Sequence, residues 1–326
     1  MISALSRRRF ISISAGTLAA GIVPGTAAFA RSSSVRWQGI AMGAAAKLIL
    51  DHPDQKQAKI ALQAVREEIR RLEAVFNLFD PSSAISRLNL KGRLELPPLD
   101  LIRCLDDAAQ ISQLTDGAFD VTVQPLWALY ASHFADQPKD TKGPSQKNID
   151  AARAHIDYQA VQYGPEAVTF SMPNMAITLN GIAQGYMTDR VAELLGGLGF
   201  DNVLIHLGET RGLGTRSDGS SWKVGIKSPD SPVDLVEKIE LNNKAIATSG
   251  GYGTRFTGQG QHHHLFDPKS GRSANTWSSI SVVADDATRA DALSTAFYSM
   301  PKKAILKLKQ TLDVRVIAYD EDLNLL

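Results

Sequence analysis

The sequence predicts an α+β fold, and two observations lead to that class. Helical and strand patterns follow one another without the regular rhythm of a βαβ protein. No Gly-x-Gly-x-x-Gly motif follows a strand pattern and no Gly-x-x-x-x-Gly-Lys-Ser/Thr motif occurs, so neither a Rossmann site nor a P-loop is supported. The 326 residues suffice for one large domain or two closely packed ones.

Four helices are predicted. The clearest covers residues 57–79, where apolar side chains recur with a period of 3.6 residues and charges lie opposite. A second amphipathic helix at 99–115 stops at Asp116-Gly117. The third covers 182–198, and the fourth covers 288–298.

Short apolar runs predict the strands. Residues 167–171 and 176–179 are expected to form a hairpin that turns near Pro173-Asn174. Residues 135–148, rich in Asp, Lys, Pro and Gly, predict a surface loop. Further strands are predicted at 202–207, 222–226, 245–248 and 279–284.

Residues 1–30 are typical of an export signal. Three arginines at 7–9 precede a mildly apolar run at 13–23, and Ala28-Phe29-Ala30 forms a cleavage site before Arg31. The arginines and the modest apolarity indicate the twin-arginine route, with an ordinary secretory signal as the alternative. The run is shorter than the roughly 20 residues of a transmembrane anchor. We therefore expect a periplasmic protein consisting of residues 31–326.

Charge and cysteine content exclude several classes of protein. Removing the signal takes away three arginines and no acids, so the net charge changes from +1 to −2, which favours neither nucleic acid nor an anionic membrane as partner. Cys104 is the single cysteine, so the chain has no internal disulfide and no cysteine-based metal site. Its amphipathic surroundings predict a core position.

Asp291 and Thr295 are candidate ligands for a metal ion. They are four residues apart, so a helix places both on one face. A carboxylate and a hydroxyl there suit Mg²⁺, which prefers hard oxygen ligands. The alternative is that Asp291 is an ordinary acid near the start of a helix.

Three consecutive histidines, at 262–264, suggest either a metal site or a rigid loop. Neighbouring residues of an extended segment point to opposite sides, and no second His or Cys cluster completes a zinc site. The turn at Asp267-Pro268, closed by Gly271, favours a rigid loop that presents the imidazole of His264.

Three further segments have the composition of ligand-binding loops. Glycines at 250–253 follow a strand and allow close approach of a ligand, although an ordinary turn explains them equally well. Residues 116–127 place an acid and an aromatic side chain at the start of an apolar segment. Residues 178–186 run from a strand through Asn180-Gly181 into a helix, whose free N–H groups suit a pyrophosphate. No Gly-x-Ser-x-Gly or His-Glu-x-x-His motif occurs.

Together and in this order, the segments resemble the ApbE family of FAD:protein FMN transferases. The resemblance runs from about Trp37 to Met300. It implies two interleaved subdomains with mainly antiparallel sheets and a cleft for FAD between them. The motifs are GIAMG at 39–43, SAISRLN at 83–89, GAFDVT at 117–122, NGIAQGY at 180–186, TSG at 248–250, HLFDPKSG at 264–271 and ADALST at 290–295.

The resemblance also implies roles for individual residues. His264 and Asp291 match catalytic positions. Asp291 and Thr295 match Mg²⁺ ligands, Gly181 or Ala183 matches a carbonyl ligand, and Ser294 matches an additional ligand position. Matches to FAD-lining positions are Met42, Phe79, Ala118, Phe119, Asp120, Thr178, Gln184, Thr248 and Leu265.

The implied reaction joins FMN to a threonine or serine of a target flavoprotein through a phosphoester and releases AMP. The target would be exported or membrane-bound, such as an electron-transfer protein. One branch of the family with twin-arginine signals serves nitrous oxide reduction.

Four positions depart from the family pattern and keep other functions open. Ala44 replaces a threonine, Gln184 a lysine, Leu207-Gly208-Glu209-Thr210 a Gly-Gly-Asp string, and Ser294 an acid found in some relatives. A non-catalytic periplasmic protein that binds or delivers FAD is therefore the first alternative. A periplasmic solute-binding protein is the second, supported by size and export alone.

Overall fold

The structure is a computed structural model that describes residues 34–52, 54–228, 234–257, 261–320 and 324–326. The predicted export signal lies outside these residues, so its assignment stays a prediction. Along the described parts of the chain, no helix has both the length and the apolarity that crossing a membrane requires.

The strands, in chain order, are β1 (Ser34–Ala41), β2 (Ala44–Asp51), β3 (Arg93–Glu95), β4 (Val161–Tyr163), β5 (Ala167–Phe170), β6 (Val203–Leu207), β7 (Thr210–Leu213), β8 (Trp222–Lys227), β9 (Leu235–Leu241), β10 (Lys244–Ser249), β11 (Phe266–Asp267), β12 (Arg272–Ser273), β13 (Ser279–Ala284) and β14 (Arg315–Tyr319). The helices are α1 (Gln55–Phe76), α2 (Ala84–Lys91), α3 (Leu99–Leu114), α4 (Gln124–Asp136), α5 (Gln146–Arg153), α6 (Ala183–Gly197), α7 (Ala287–Ser299) and α8 (Lys302–Lys309).

A seven-stranded sheet in the order β1-β2-β6-β7-β10-β13-β14 forms the centre of the protein, and its neighbouring strands are all antiparallel. Side chains alternate between its two faces. On β6, Val203 and Ile205 face the main core with α1, α6 and α7, whereas Leu204 faces the β8–β9 hairpin. Both faces are therefore covered, and the α+β class is confirmed.

Helices α6 and α7 are joined by a buried carboxylate. Asp189 on α6 accepts hydrogen bonds from the backbone N–H groups of Ala287 and Thr288, at 2.9 and 2.8 Å. Asp189 also forms an ion pair with Arg211 on β7 at 2.5 Å. The first N–H groups of a helix lack partners within the helix, so Asp189 both satisfies the start of α7 and fixes it against α6.

A smaller lobe packs around aromatic side chains from distant parts of the chain. Tyr130 of α4 contacts Phe266 of β11 and Phe256 of the preceding loop, with ring centroids 4.9 and 5.8 Å apart. Phe134 of the same helix contacts Tyr130 and Phe256, at 6.4 and 6.2 Å. The lobe combines residues near 130 with residues near 260, and the main core combines segments before, between and after them. This arrangement agrees with the expectation of two interleaved subdomains.

The four predicted helices are present, with changed ends. Helix α1 begins at Gln55 rather than 57 because Asp54 caps it, accepting from Lys56 N at 2.8 Å and Gln57 N at 3.1 Å. It ends at Phe76 rather than 79 because Asn77 adopts an extended backbone. Cys104 is fully buried, as predicted. The loop predicted at 135–148 is shorter, because α4 and α5 occupy its two ends.

The predicted hairpin of residues 167–171 and 176–179 is wrong. β5 pairs instead with β3 and β4. Residues 176–179 form no strand, because the Asn89 side chain bonds to both the N–H group and the carbonyl of Ile177, each at 2.8 Å. The neighbouring Thr178 N–H donates to the Val121 carbonyl at 2.7 Å. The turn at Pro173-Asn174 is present, and the β1–β2 hairpin was not predicted.

Candidate functional site

The centre of the candidate site is the crossing of α6 and α7. Gly185 in the first turn of α6 lies so close to α7 that a Cβ atom there would overlap the Ala287 carbonyl and lie 2.8 Å from the Asp291 Cβ. The Gly185 N–H donates to Asp291 Oδ2 at 3.0 Å. Asp291 is 4% exposed and belongs to the second turn of α7, whereas Asp286 is the N-cap. Asp291 is therefore not the capping residue that the alternative interpretation required.

Gly181 lies beside α7 one turn further along that helix. A Cβ atom at Gly181 would lie 2.9 Å from Thr295 Oγ1 and 3.3 Å from the Phe119 ring. Continuing α6 toward its N-terminus would require the Gly185 N–H to donate to the Gly181 carbonyl, but that N–H donates to Asp291 instead. Gly181 therefore lies beside the Thr295 side chain with its carbonyl outside the hydrogen bonds of the helix, and Ala183 is the first residue of that helix.

Hydroxyl groups at the end of β10 complete this side of the site. Ser249 Oγ lies 2.8 Å from Ser294 Oγ and 3.4 Å from Thr295 Oγ1. Ser294 Oγ also donates to the Asp291 carbonyl at 3.0 Å. Thr248 Oγ1 bonds to Ser281 Oγ at 2.8 Å, within the sheet. Ser294 is therefore bonded on two sides, while among the described residues the hydroxyl of Thr295 has a single, long contact, with Ser249.

A buried carboxylate that the sequence motifs did not select lies close to this crossing. Glu209 follows Gly208 in the turn between β6 and β7 and is 6% exposed. Gly208 has a φ of +100°, and a Cβ atom there would lie 2.5 Å from the Gln184 side chain. Gln184 is therefore packed against this turn, at the start of α6. The unusual Gly208-Glu209 string was the sequence signal that could have identified the residue.

Burial dominates the electrostatics of the two acids. It raises the pKa of Asp291 to about 7, despite the hydrogen bond from Gly185 that favours the carboxylate. Burial and then the charge of Asp291 raise the pKa of Glu209 well above its ordinary value. No lysine or arginine of the described ranges is among the groups that act on either pKa. The site therefore holds two close carboxyl groups without a compensating side-chain cation.

The segment from Ala118 to Thr122 borders the start of α6. Phe119 is buried beside Gly181, and the Ala118 carbonyl accepts from Ser299 Oγ of α7 at 3.4 Å. Asp120 accepts from Thr122 N and Oγ1, at 2.7 and 2.5 Å, and from Tyr158 N. Its carboxylate thus holds a short 3₁₀ turn in place.

Met42 and Phe79 lie near the C-terminal end of α1. Met42 occupies the β1–β2 turn with a φ of +48°, and its N–H donates to Glu73 Oε1 of α1 at 2.8 Å. Phe79 follows α1 and is 63% exposed. Phe76, the last residue of α1, contacts Tyr186 of α6 with ring centroids 5.6 Å apart. The two predicted FAD-lining residues therefore border the end of α1 that meets the first turns of α6.

The three consecutive histidines have separate surroundings. His262 packs against Tyr130 and Phe134 in the small lobe, with ring centroids 5.9 and 5.2 Å away. His263 is buried and contacts Tyr298 of α7 at 5.7 Å. Leu265 is buried, and its N–H donates to His263 Nδ1 at 3.2 Å. The histidine segment is thus attached to α7 one turn beyond Thr295.

The hydrogen bond that holds the His264 ring also determines which ring nitrogen carries the proton. Its Nδ1 lies 3.1 Å from the Thr254 carbonyl, which can only accept, so Nδ1 carries the proton and Nε2 presents a lone pair. Burial lowers the pKa of His264 to about 4, so the ring is neutral at pH 7. A neutral imidazole can accept a proton but adds no positive charge beside a phosphate.

The donor set suits a hard cation better than zinc. In the ranges that the structure covers, no group of three or more His, Cys, Asp and Glu side chains is arranged to hold a metal. The atoms gathered at the crossing are carboxylate, hydroxyl and carbonyl oxygens from Asp291, Thr295 and Gly181. Mg²⁺ binds to such oxygens and keeps several of its waters, so few protein ligands suffice. The residues present therefore fit Mg²⁺.

Comparisons with known proteins agree with this architecture. The model of the ApbE family matches residues 42–318. The FAD:protein FMN transferase of Haemophilus influenzae is 29% identical over 252 residues, covering 74% of this chain and 73% of the relative. That of Escherichia coli is 26% identical over 278 residues, covering 82% and 79%. The crystal structure of an ApbE protein from Thermotoga maritima superposes with a TM-score of 0.80 at 27% identity, covering 90% of this chain and 96% of that one.

Fold, site and relatives together define the protein as a transferase with an α+β fold. The family match covers well over half of the sequence. The chain belongs to the ApbE family.

Proposed function

We propose that this protein is an exported, Mg²⁺-dependent FAD:protein FMN transferase. The observation that carries the proposal is the α6–α7 crossing, where Gly181, Gly185, Asp291 and Thr295 bring oxygen donors to the N-terminus of a helix. The positive end of the helix dipole at such a terminus favours a phosphate. The names of the relatives supply the class of reaction.

Asp291, Thr295 and the Gly181 carbonyl are the proposed Mg²⁺ ligands. Gly181 is favoured over Ala183 because the N–H group that would otherwise approach its carbonyl is taken by Asp291. Ser294 supports Thr295 indirectly, since both hydroxyls lie near Ser249 Oγ. When bound, Mg²⁺ would neutralise charge on the pyrophosphate of FAD.

The substrate FAD is proposed to lie along the start of α6. Phe119 beside Gly181, and Met42 and Phe79 at the end of α1, supply apolar surface for the flavin or adenine. Thr178 and Gln184 flank the turn that begins the helix. Thr248 and Leu265 border the site from the sheet and from the histidine segment, and Ala118 and Asp120 shape the loop around Phe119.

In the proposed reaction, a threonine or serine hydroxyl of the target attacks the FMN-side phosphorus. The new phosphoester bond forms as the bond to the AMP phosphate breaks, and AMP leaves with that oxygen. His264 is neutral and presents Nε2 as a base, so it can take the hydroxyl proton. The protein contributes positioning and charge stabilisation and needs no covalent nucleophile.

One assay tests the activity. Purified protein, FAD, Mg²⁺ and a target fragment with an acceptor threonine are mixed, and mass spectrometry detects an FMN adduct together with released AMP. Asp291→Asn keeps an oxygen that can accept from Gly185 N but removes the negative charge, so we expect FMN transfer to fall at least a hundredfold. FAD binding without any adduct from the wild-type protein would instead support the non-catalytic FAD-binding function.

Export and the nature of the target rest on the first thirty residues. Arg7-Arg8-Arg9 and the following apolar run support transfer to the periplasm by the twin-arginine route. The target would then be an exported or membrane-bound flavoprotein. Replacing Arg8 and Arg9 by lysine should leave the protein in the cytoplasmic fraction of cells. Unchanged periplasmic recovery would favour the ordinary secretory route.

A further inference from the structure

Glu209 is buried at a position that the proposed mechanism leaves unexplained. Its side chain is 6% exposed in the turn between β6 and β7, which a hydrogen bond from Leu207 N to the Glu209 carbonyl closes at 3.0 Å. Gly208 in the same turn packs against the Gln184 side chain. Because Gln184 precedes Gly185, which bonds to Asp291, the turn lies next to the α6–α7 crossing.

A second set of contacts connects Glu209 to the same place. Thr210 pairs with Ile246 of β10, so the turn runs alongside the end of β10. The Thr248 N–H donates to the Glu209 carboxylate. The next residue, Ser249, bonds to Ser294 of α7. Two independent routes, through α6 and through β10, therefore place Glu209 beside the ligand face of α7.

Two acidic side chains, Asp291 and Glu209, lie here without a cationic side chain beside them. Helix α7 contributes Asp291 as its one carboxylate on this face, because Ser294 and Thr295 supply hydroxyls. No described lysine or arginine is among the groups that act on Glu209 or Asp291. An ionised carboxylate is costly to bury without a partner, so a divalent cation between the two acids would stabilise their charged form.

We propose that Glu209 supplies the second carboxylate of the Mg²⁺ site, from the sheet side opposite α7. The inference rests on the proposed Mg²⁺ dependence and adds a residue to it. Asp291 and Glu209 would then both hold the cation, and the turn at Gly208 sets the position of the second carboxylate. Only the charge of Glu209 is required for this role, because the Thr248 N–H already orients the side chain.

Mg²⁺ binding by the full-length protein without FAD tests this directly, by isothermal titration and by the rise in melting temperature that Mg²⁺ causes. Glu209→Gln keeps the length of the side chain and removes its charge, so we expect Mg²⁺ affinity to fall at least tenfold. Glu240→Gln, which removes an exposed charge from β9, is the matched control and should leave the affinity within twofold. If Glu209→Gln does not fold, the same titration is made with Glu209→Met, whose side chain has a similar length and no charge.

A rescue variant separates charge from structure. Ser294→Asp returns a carboxylate to the α7 face, so adding it to Glu209→Gln should recover most of the lost Mg²⁺ affinity. Affinity of Glu209→Gln within twofold of wild type would overturn the inference and show that Glu209 is a neutral, structural acid. Wild-type protein that binds no Mg²⁺ at all would contradict the proposed Mg²⁺ dependence itself, so the two failures are distinguishable.

Discussion

The two sides of the candidate site are built in different ways. On the α6–α7 side, main chain meets main chain: Gly185 lies against the Ala287 carbonyl, and Asp291 bonds to a backbone N–H. On the histidine side, a loop is held by side chains. His263 packs on Tyr298, and His264 is oriented by one carbonyl.

Because of this difference, the two sides are expected to contribute differently to the stability of the fold and to the rate of FMN transfer. Closely packed backbones cannot move apart locally, so a change at Gly185 affects both helices and the whole sheet they cover. A loop side chain with one hydrogen bond can be removed with little effect on the core. Substitutions that disturb the packed backbone of the first side should therefore change the free energy of unfolding, and removal of the His264 ring on the second side should change the rate of transfer.

The largest expected effect is on the histidine side. His264→Ala removes the base that Nε2 offers, so FMN transfer should slow about 1,000-fold. The free energy of unfolding should change by less than about 1 kcal/mol, since His264 makes one hydrogen bond through its ring. Single-turnover transfer rates and urea unfolding measure the two quantities.

The neighbouring histidine provides the control for that prediction. His262→Ala loses packing against Tyr130 and Phe134, so it should cost about 1–2 kcal/mol of stability and leave the rate within about threefold. Equal loss of rate in both variants would show that the loop acts as a unit and that His264 has no separate chemical role.

The next largest effect is on the α6–α7 side. Gly185→Ala places a methyl group against the Ala287 carbonyl, so the helices must separate, at a cost of about 3 kcal/mol. Gly196→Ala lies in the same helix with open space around it, and alanine's higher helix propensity should stabilise the protein by up to about 1 kcal/mol. Urea unfolding of both variants checks the prediction. Equal stabilisation by both would contradict the close packing of α6 on α7.

The same difference explains what the sequence could predict. Helices α1 and α3 follow local periodicity, and Asp291 and Thr295 share a face because helical spacing requires it. The resemblance to the family, rather than any local pattern, indicated that the separate segments belong to one site. Local patterns were sufficient wherever a segment's own residues determine its structure.

Long-range pairing accounts for what was missed. The β1–β2 turn is formed by Met42-Gly43 in left-handed conformations, without the Asn-Gly signal of such turns. Ile177 was assigned to a strand because no local pattern reveals its bonds to Asn89, 88 residues away in sequence. The Gly208-Glu209 string marked Glu209 only as a departure from the family pattern, and its nearness to the start of α6 depends on the packing of Gly208 against Gln184.

Acid provides a third test, because burial lowers to about 4 the pKa of two histidines, one in the candidate site and one in the central sheet. His264 is one, and His206, 5% exposed on β6 and bonded to Thr210 Oγ1 at 2.8 Å, is the other. Between about pH 6.5 and 4 the unfolded chain binds protons that the folded ring does not, so stability is lost as pH falls through this window. For His206 the loss reaches about 3 kcal/mol near pH 4. We expect His206→Gln to flatten the dependence of urea-unfolding stability on pH between 7 and 4.5, while leaving the dependence of transfer rate on pH unchanged. An unaltered stability profile would show that His206 is protonated in the folded protein, and an altered rate profile would show that the sheet side also takes part in the chemistry.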